Sequence, residues 1–365
     1  MLAFLMIVAG LILFAFLFIT YYPVFGGKAS REKSDTFNQY ENFSEGKFVN
    51  QIPTIMDMKI GTTISVLKDF LRGNPKGKPD RSIPMVSLNT ANLLDDHKQS
   101  KITWFGHSAF LLEVDGKRIL IDPMFGNAPS PFPIFGSKRY SEKLPFEIDA
   151  LPLIDAVIYS HDHYDHLDFS TIKKLKDKVS QFIVPLGVGA HLERWGIDQE
   201  KISEHGWWSE FEWNGLTLVC TPARHFSGRS LTDRNSTLWC SWVITTEQLN
   251  IYFSGDSGYG PHFKEIGEKY GPFDLTLMEC GQYDERWSAI HMVPEETVQA
   301  HLDVNGKTLV PIHWAAFTLA LHDWTDPIER AWKEAKKKSV DISTPKIGET
   351  IVLDSDQYPR SAWWR

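Results

Sequence analysis

The stretch "SHDHYDHLD", residues 160–168, places three histidines and three aspartates within nine positions. The run before it, "DAVIY" (155–159), is short and apolar, as is typical of a buried strand. A strand end is a rigid position, so polar side chains that follow it can be held in a fixed geometry. We therefore interpret residues 160–168 as a metal-binding loop at the end of a strand.

Alternate positions of this loop predict two groups of ligands. In an extended chain, His161 and His163 point to the same side and can bind one ion, whereas Asp165 and His166 turn toward a second. Imidazole and carboxylate ligands without a thiolate favour zinc, with iron or manganese as alternatives. The loop alone thus predicts two neighbouring metal ions.

Three more candidate ligands each follow a predicted strand. His225 ends "LVCTPARH", Asp256 ends "IYFSGD" and His313 ends "LVPIH". Taken singly, each would more commonly be a core, surface or turn residue. Burying so many titratable groups without a metal would cost on the order of several kcal/mol. The sequence therefore predicts that these three side chains join the ligands of the loop.

The region that carries these residues has the pattern of an α/β sandwich. "ITWFGHSAFLLEV" and "KRILIDPMF" are joined by Asp115-Gly116, a favoured turn pair, and predict a hairpin. The other predicted strands are "DAVIYS", "QFIVP", "LTLVCT", "WCSWVIT", "NIYFSGD", "LTLMEC" and "TLVPIH". The predicted helices between them are "STIKKLKDK", "HFKEIGEKY" and "PEETVQAHLD". Strands and helices alternate without a regular βαβ repeat.

Composition excludes some functional classes. The net charge is −8 over 365 residues, and there is no basic stripe, so we expect no nucleic-acid partner. The cysteines are odd in number and lack CxxC spacing, which argues against a disulfide scaffold. The sequence leaves the oligomeric state open.

The first residues predict a membrane anchor. "LAFLMIVAGLILFAFLFIT" (2–20) is uncharged and long enough to span a bilayer as a helix, and Tyr21 and Tyr22 follow at the position of interfacial aromatics. A cleaved signal peptide is the alternative, but a basic n-region and a clear cleavage site are lacking. The basic residues after the span place the body of the protein on the cytoplasmic side by the positive-inside rule. These residues are Lys28, Arg31 and Lys33.

The motif H-x-H-x-D-H, followed by a separate His, Asp and His at strand ends, resembles the metallo-β-lactamase superfamily. Within it, the chain is most similar to the N-acyl-phosphatidylethanolamine-hydrolysing phospholipase D family. The resemblance covers about residues 101–330. It rests on "WFGHSAFLLEVDG", "LIDPMF", "SHDHYDHLD", "TPARHFSGR", "FSGDSGYG", "IHMVPEETVQAH" and "PIHWAAFTLA".

This resemblance implies a metallo-β-lactamase-like αββα sandwich with two zinc ions. One zinc would be bound by His161, His163 and His225, the other by Asp165, His166 and His313, with Asp256 bridging. Asp165 would also orient the attacking water. Tyr164 and His291 would line the active site, the alternatives being a packing tyrosine and a helix-cap histidine.

Three segments follow from these assignments. Residues 1–22 form a transmembrane anchor, residues 23–100 a linker and N-terminal extension, and residues 101–365 the metallo-β-lactamase-fold hydrolase domain. Within the extension, "TTISVLKDFLRG" predicts a short helix.

A lipid substrate would need an apolar path to the metals. We expect substrate contacts from the loop "PSPFPIFG" (129–136), through Phe132 and Phe135, and from "HWAAFTLALHDW" (313–324), through Trp314 and Phe317. Alternatively, both stretches pack in the core.

Three functions remain open from sequence. The first, implied by the resemblance, is a membrane-anchored zinc phosphodiesterase of phospholipase D type, which acts on N-acyl-phosphatidylethanolamine-like phospholipids of the bilayer through a metal-activated hydroxide. The second is a hydrolase of a small lactone or β-lactam. The third is a non-catalytic metal-binding membrane protein. An apolar channel beside the metals would favour the first, and a small polar pocket the second.

Overall fold

The computed structural model describes residues 1–55, 59–89, 99–134, 136–355 and 357–365. Its α-helices are α1 (Leu2–Tyr21), α2 (Arg31–Thr36), α3 (Ile60–Arg72), α4 (Phe169–Leu175), α5 (Gly189–Arg194), α6 (His262–Tyr270), α7 (Pro294–Asp303) and α8 (Asp326–Lys337). Helices α6 and α7 have the bounds that the sequence predicted, whereas α4 ends before the predicted residue 178.

Most of the strands form two seven-stranded mixed sheets. The first sheet, in spatial order, contains β16 (Thr350–Val352), β3 (Lys101–Trp104), β4 (Phe110–Val114), β5 (Lys117–Ile121), β6 (Ile154–Ile158), β7 (Val179–Pro185) and β8 (Ile202–His205). The second contains β15 (Asp341–Ile342), β14 (Gly306–Ile312), β13 (Phe273–Glu279), β12 (Asn250–Phe253), β11 (Ser241–Thr245), β10 (Leu216–Thr221) and β9 (Ser209–Trp213). A separate short hairpin pairs β1 (Phe43–Ser44) with β2 (Lys47–Phe48).

Alternating side chains give the sandwich its layers. In β4, Phe110 and Leu112 face the second sheet, whereas Leu111 between them packs under helices on the outside. The inner cluster contains residues of both sheets, and two outer clusters lie under α4 and α5 on one face and under α6, α7 and α8 on the other. This order of layers is the αββα sandwich that the resemblance implied.

The predicted hairpin is present as β4 and β5. Val114 pairs with Lys117, and both Asp115 (φ 48°) and Gly116 (φ 71°) have left-handed backbone conformations. A two-residue turn of this kind matches the twist of the strands that it joins. The hairpin lies beside β3 in the first sheet, and β5 pairs in parallel with β6, the strand that leads into the loop at 160–168.

Among the described residues, only α1 is long and apolar enough to cross a membrane, and a signal sequence would pass the same test. Its last turn and the residues after it contact the body. The Arg194 guanidinium donates to the carbonyl of Thr20 at 2.6 Å, and the Trp195 indole donates to that of Pro23 at 2.7 Å. The junction after α1 is therefore packed against the sandwich.

The described part of residues 23–100 is more than a linker. Phe37, Phe48 and Ile83 are buried in the cluster between the two sheets. The predicted helix within "TTISVLKDFLRG" is present as α3, and none of its residues is buried. This segment thus contributes both to the core and to the surface of the molecule.

Candidate metal centre

All seven predicted ligands lie after the carboxyl ends of strands. The loop at 160–168 follows β6, His225 follows β10, Asp256 follows β12 and His313 follows β14. Strands β12, β13 and β14 run parallel, so their carboxyl ends meet at one edge of the second sheet. The two sheets therefore bring groups from distant parts of the chain into one site.

One group of ligands forms around His163. The Nδ1 atom of His163 lies 2.9 Å from Nε2 of His161 and 3.1 Å from Nε2 of His225. Together with Asp256, these three histidines place one ligand atom each within 4.8 Å of one another. They include the three residues that were predicted to share one ion.

The second group contains Asp165, His166 and His313, joined by His107, again with ligand atoms within 4.8 Å of one another. Asp256 lies between the groups. Its Oδ2 is 3.1 Å from His166 Nε2 in the second group and 3.7 Å from His161 Nε2 in the first, and its Oδ1 is 3.0 Å from His313 Nδ1. This is the position that a bridging ligand requires.

The electrostatics of these groups fit a cation. Burial lowers the pKa of His163 to about 4 and those of His161 and His225 well below the usual value, so these rings are neutral and offer lone pairs. Burial also raises the pKa of Asp256 to about 7. His225 Nδ1 donates to the Ile290 carbonyl at 2.9 Å, which leaves a lone pair on Nε2, and Oδ1 of the buried Asp256 has no hydrogen-bond partner among the described residues. A divalent metal would satisfy both acceptors. The residues present therefore fit a metal.

Asp122 is a functional residue that the sequence analysis missed. Its Oδ2 accepts hydrogen bonds from His166 Nδ1 at 2.6 Å and from the Ser160 hydroxyl at 2.5 Å, and its Oδ1 accepts from the Ser160 amide at 2.7 Å. A carboxylate on the far nitrogen of a ligating histidine fixes the ring and its tautomer. Asp122 follows β5, so the same strand-end pattern could have identified it.

The sequence analysis also missed His107, which lies shortly after the end of β3 and could have been identified by the same pattern. Its Nε2 lies 2.8 Å from Oδ2 of Asp165, and its backbone has a left-handed φ of 55°. His166 and His107 together hold the pKa of Asp165 well below its usual value against the opposing effect of burial. Asp165 is therefore ionised and fixed in place.

His291 lies beside the metal centre, and a buried carboxylate orients it. Its Nδ1 is 2.7 Å from Oε1 of Glu279, the last residue of β13, and its ring stacks on His313 with 5.3 Å between centroids. The Val293 amide is capped by Glu296 at 3.1 Å, so the cap of α7 does not use His291. The helix-cap alternative is thus excluded for this residue.

Tyr164 is not placed as the resemblance implied. Its hydroxyl donates to the carbonyl oxygen of Arg229, and its ring lies under the Arg229 guanidinium, 4.1 Å away. It does not line the cavity at the metal centre. We therefore correct its assignment from a catalytic to a packing tyrosine, because its polar atom is bonded away from the metals.

Trp314 and Phe317 are core residues, contrary to the predicted substrate contacts. Trp314 is 2% exposed and stacks on Trp363 with 5.2 Å between centroids, and Phe317 is 0% exposed. The physical reason is a backbone reversal, since both His313 (φ 65°) and Ala315 (φ 62°) are left-handed and turn the chain inward after the metal ligand. A side chain with no exposed surface cannot contact a substrate.

The loop at 129–136 contacts α1. Phe132 is 38% exposed and stacks on Phe18 and Tyr22, each with 5.9 Å between ring centroids. Phe132 does not line the cavity at the metals. Phe135 lies outside the described residues. Phe132 is therefore close to the candidate membrane span and not to the metal ligands.

A cavity of about 350 Å³ opens over the metal centre. It is lined by polar side chains of the site, which are His163, Asp165, Asp256, His291 and His313. Apolar side chains also line it, chiefly Val66, Phe226, Trp287, Ile290 and Leu319, together with the polar Thr62, Thr63, Gln282 and Arg286. The cavity can thus bind a ligand that has a polar head and an apolar body.

Comparison with known proteins agrees with this geometry. Residues 117–314 match the model of the family described as "Beta-lactamase superfamily domain". An uncharacterised protein of Mycobacterium tuberculosis is 41% identical over 332 residues, which cover 90% of this chain and 88% of the relative. N-acyl-phosphatidylethanolamine-hydrolyzing phospholipase D 1 of Caenorhabditis elegans is 35% identical over 259 residues, covering 67% of this chain and 72% of the relative.

A solved structure supports the fold. A metallo hydrolase of the archaeon Ignicoccus hospitalis superposes with a TM-score of 0.53 at 23% sequence identity, covering 70% of this chain and 98% of its own. At this identity the likeness concerns the fold alone.

Proposed function

Because the chain belongs to the metallo-β-lactamase superfamily of metal-dependent hydrolases, we propose that it is a zinc-dependent phosphodiesterase of the phospholipase D type. Its substrates would be N-acyl-phosphatidylethanolamine-like phospholipids of the bilayer in which α1 anchors it. The products would be a phosphatidic acid and an N-acylethanolamine.

The observation that carries this proposal is the composition of the cavity. Apolar Trp287, Ile290 and Leu319 line the same cavity as the candidate metal ligands. A small lactone or β-lactam would need little apolar surface, whereas a phospholipid has a phosphodiester beside long acyl chains. The name of the Caenorhabditis elegans relative describes hydrolysis of such a phospholipid by that protein, which supports a phospholipid substrate here.

We propose two zinc ions, one for each group of ligands, with Asp256 between them. His161, His163 and His225 would hold one ion, and Asp165, His166 and His313 the other. When bound, these ions supply Lewis acidity, which lowers the pKa of a water and neutralises charge on phosphoryl oxygens.

The chain's own residues move the protons. Asp165 lies in the cavity wall, ionised and held by His107, so its free carboxylate edge can orient the attacking water and accept its proton. Burial raises the pKa of Glu279 well above its usual value and lowers that of His291, so the Glu279 carboxyl would carry the proton that it shares with His291 Nδ1. His291 Nε2 would then hold a proton to give to the departing alcohol oxygen, while Nδ1 takes the proton of Glu279. The water oxygen bonds to phosphorus as the bond from phosphorus to the ethanolamine oxygen breaks.

The N-terminal helix supports a location at the membrane. We propose that α1 remains attached as a single-pass anchor and that the catalytic body lies on the cytoplasmic side, from the basic residues that follow the span. An anchored enzyme meets its lipid substrate without a search through solution.

The test is an assay of zinc-loaded full-length protein against phospholipids in vesicles, soluble phosphodiesters and lactones, with metal content measured in parallel. We expect turnover of the phospholipids and about two zinc ions per chain. His161→Ala and Asp165→Ala should lose metal and activity together. Turnover of lactones alone, or unchanged metal in both variants, would contradict the proposal.

A further inference from the structure

Helix α3 carries an apolar face that the described residues leave exposed. Ile60 is 80% exposed, Ile64 47%, Leu67 58% and Leu71 79%. Their spacing of four, three and four residues places all four on one side of the helix. Large apolar side chains that form one continuous exposed stripe mark a contact surface.

The other side of α3 packs at the metal centre. Asp69 forms an ion pair with Arg286, with 2.8 Å between the carboxylate and the guanidinium. Thr62, Thr63 and Val66 line the same cavity as the metal ligands. Helix α3 therefore forms the rim of the cavity, with its apolar stripe facing outward from that rim.

Contacts connect this rim with the end of the candidate anchor. The Tyr22 hydroxyl donates to the carbonyl of Pro131 at 3.0 Å, and Phe132 stacks on α1. A few residues further along the same loop, Gly136 and Ser137 border a surface hollow together with Phe70 of α3. Phe132 of this loop thus contacts α1, and Gly136 and Ser137 share a surface hollow with Phe70 of α3.

We propose that the occupant of the apolar face of α3 is the phospholipid bilayer, and that lipid head groups enter the cavity along the face of the same helix that carries Thr62, Thr63 and Val66. The apolar stripe lies between basic Lys68 and Arg72 on one flank and the cavity on the other, which is the arrangement of a helix that lies in a membrane interface. This inference rests on the proposed function for the identity of the substrate, but the membrane contact can be measured without catalysis.

The membrane contact is tested on the full-length protein reconstituted into phosphatidylcholine vesicles. The native cysteines are all buried, so a cysteine introduced by Leu67→Cys can be labelled selectively with an environment-sensitive fluorophore. We expect lipids with a quencher in the acyl chain to quench this label several-fold more than a label at Lys68→Cys, on the polar flank. Equal quenching at both positions would overturn the proposal, as would protection of Leu67→Cys that grows with protein concentration in detergent, since a second copy would then cover α3.

The delivery of lipid is tested by a double substitution, Leu67→Asp with Leu71→Asp. Neither side chain lines the cavity, so hydrolysis of a soluble diester should be unchanged, whereas turnover of vesicle phospholipid should fall by about tenfold or more. Leu153→Asp, at another leucine that is 71% exposed, is the matched control and should lower neither rate. Equal rates on vesicles for the double variant and the control would overturn the proposal.

The two measurements separate the inference from the proposed function. A quenched label at Leu67→Cys in a protein that hydrolyses no phospholipid would contradict the function and retain the membrane contact. Phospholipid turnover with an unquenched label would retain the function and contradict the contact.

Discussion

Asp122 determines how the metal loop is held, although it is not itself a predicted ligand. It is fully buried and joins the end of β5 to Ser160 and His166 after β6. Burial alone would lower the pKa of His166, but three carboxylates, Asp256, Asp165 and Asp122, raise it well above its usual value. A positive charge at this position, carried by the imidazolium or by a bound cation, is therefore favoured.

We expect Asp122→Asn to weaken metal binding by about 10- to 100-fold, because the neutral amide holds the His166 ring less firmly. Competition with a chelator that reports free zinc measures the affinity. The control is Asp168→Ala, which removes a carboxylate from the same loop. Asp168 accepts from the Thr171 amide at 2.8 Å and caps α4, so its loss should cost about 1 kcal/mol of stability but no zinc affinity. Equal affinities of Asp122→Asn and the unsubstituted protein would contradict the role given to Asp122.

At the scale of elements, the junction after α1 is tied to the metal loop by one buried arginine. The Arg229 guanidinium donates to the carbonyls of Asp162 and Leu167 in the loop, and to that of Val24 at 2.9 Å. The backbone at Gly26 passes so close that an added Cβ would lie 2.1 Å from the His191 ring. The end of the candidate anchor is thus part of the support of the active site.

We expect Arg229→Ala to lower the free energy of unfolding by about 3 kcal/mol, since it leaves several buried carbonyls without donors. Arg194→Ala is the matched control: it also removes a donor to this junction, but at an exposed position, and should cost less than about 1 kcal/mol. Urea unfolding of both variants in the same detergent gives the comparison. Similar decreases in the free energy of unfolding for the two variants would contradict the larger stabilising role given to the buried Arg229.

Local patterns predicted the elements well where the physical cause was local. Asp115-Gly116 supplies both left-handed residues of its turn, and Pro294 with two glutamates begins α7. The inward turn at Trp314 was not predictable, because His313 and Ala315 adopt left-handed angles that only the surrounding packing imposes. The same limit applies to Tyr164, whose partner Arg229 lies on a loop distant in sequence.

The metal ligands could be proposed from sequence because each follows an apolar strand, and strand ends converge. Asp122 and His107 also follow strands, and Glu279 is the last residue of β13, but none of the three lies in a local cluster of candidate ligands that singles it out. The apolar stripe of α3 is visible in the sequence, but its place at the cavity depends on the long-range pair of Asp69 and Arg286.

For the whole molecule, buried histidines outside the metal centre set a pH dependence of stability. Burial lowers the pKa of His301 to about 4, and its Nδ1 lies 2.7 Å from the Thr276 hydroxyl. In the unfolded chain this histidine has a pKa of about 6.5. The unfolded state therefore binds the proton first as the pH falls. The free energy of unfolding decreases below about pH 6.5, and the contribution of His301 to this decrease is complete near pH 4.

We expect His301→Asn to be less stable at neutral pH but to lose less on acidification, because the non-titrating side chain removes up to about 3 kcal/mol of pH-dependent free energy. Melting temperatures of both proteins between pH 7.5 and about pH 5 measure the two slopes. If the melting temperatures of the two proteins depended equally on pH, His301 would not be held neutral by the fold.

The proposed reaction breaks the bond between phosphorus and the ethanolamine oxygen, and isotope labelling tests this directly. Full-length, zinc-loaded protein is reconstituted into vesicles of N-acyl-phosphatidylethanolamine in water enriched in heavy oxygen, and the products are analysed by mass spectrometry. We expect phosphatidic acid that carries one heavy oxygen and N-acylethanolamine that carries none, since the attack occurs at phosphorus. Unchanged lipid, heavy oxygen in the N-acylethanolamine, or release of a fatty acid in place of these products would contradict it.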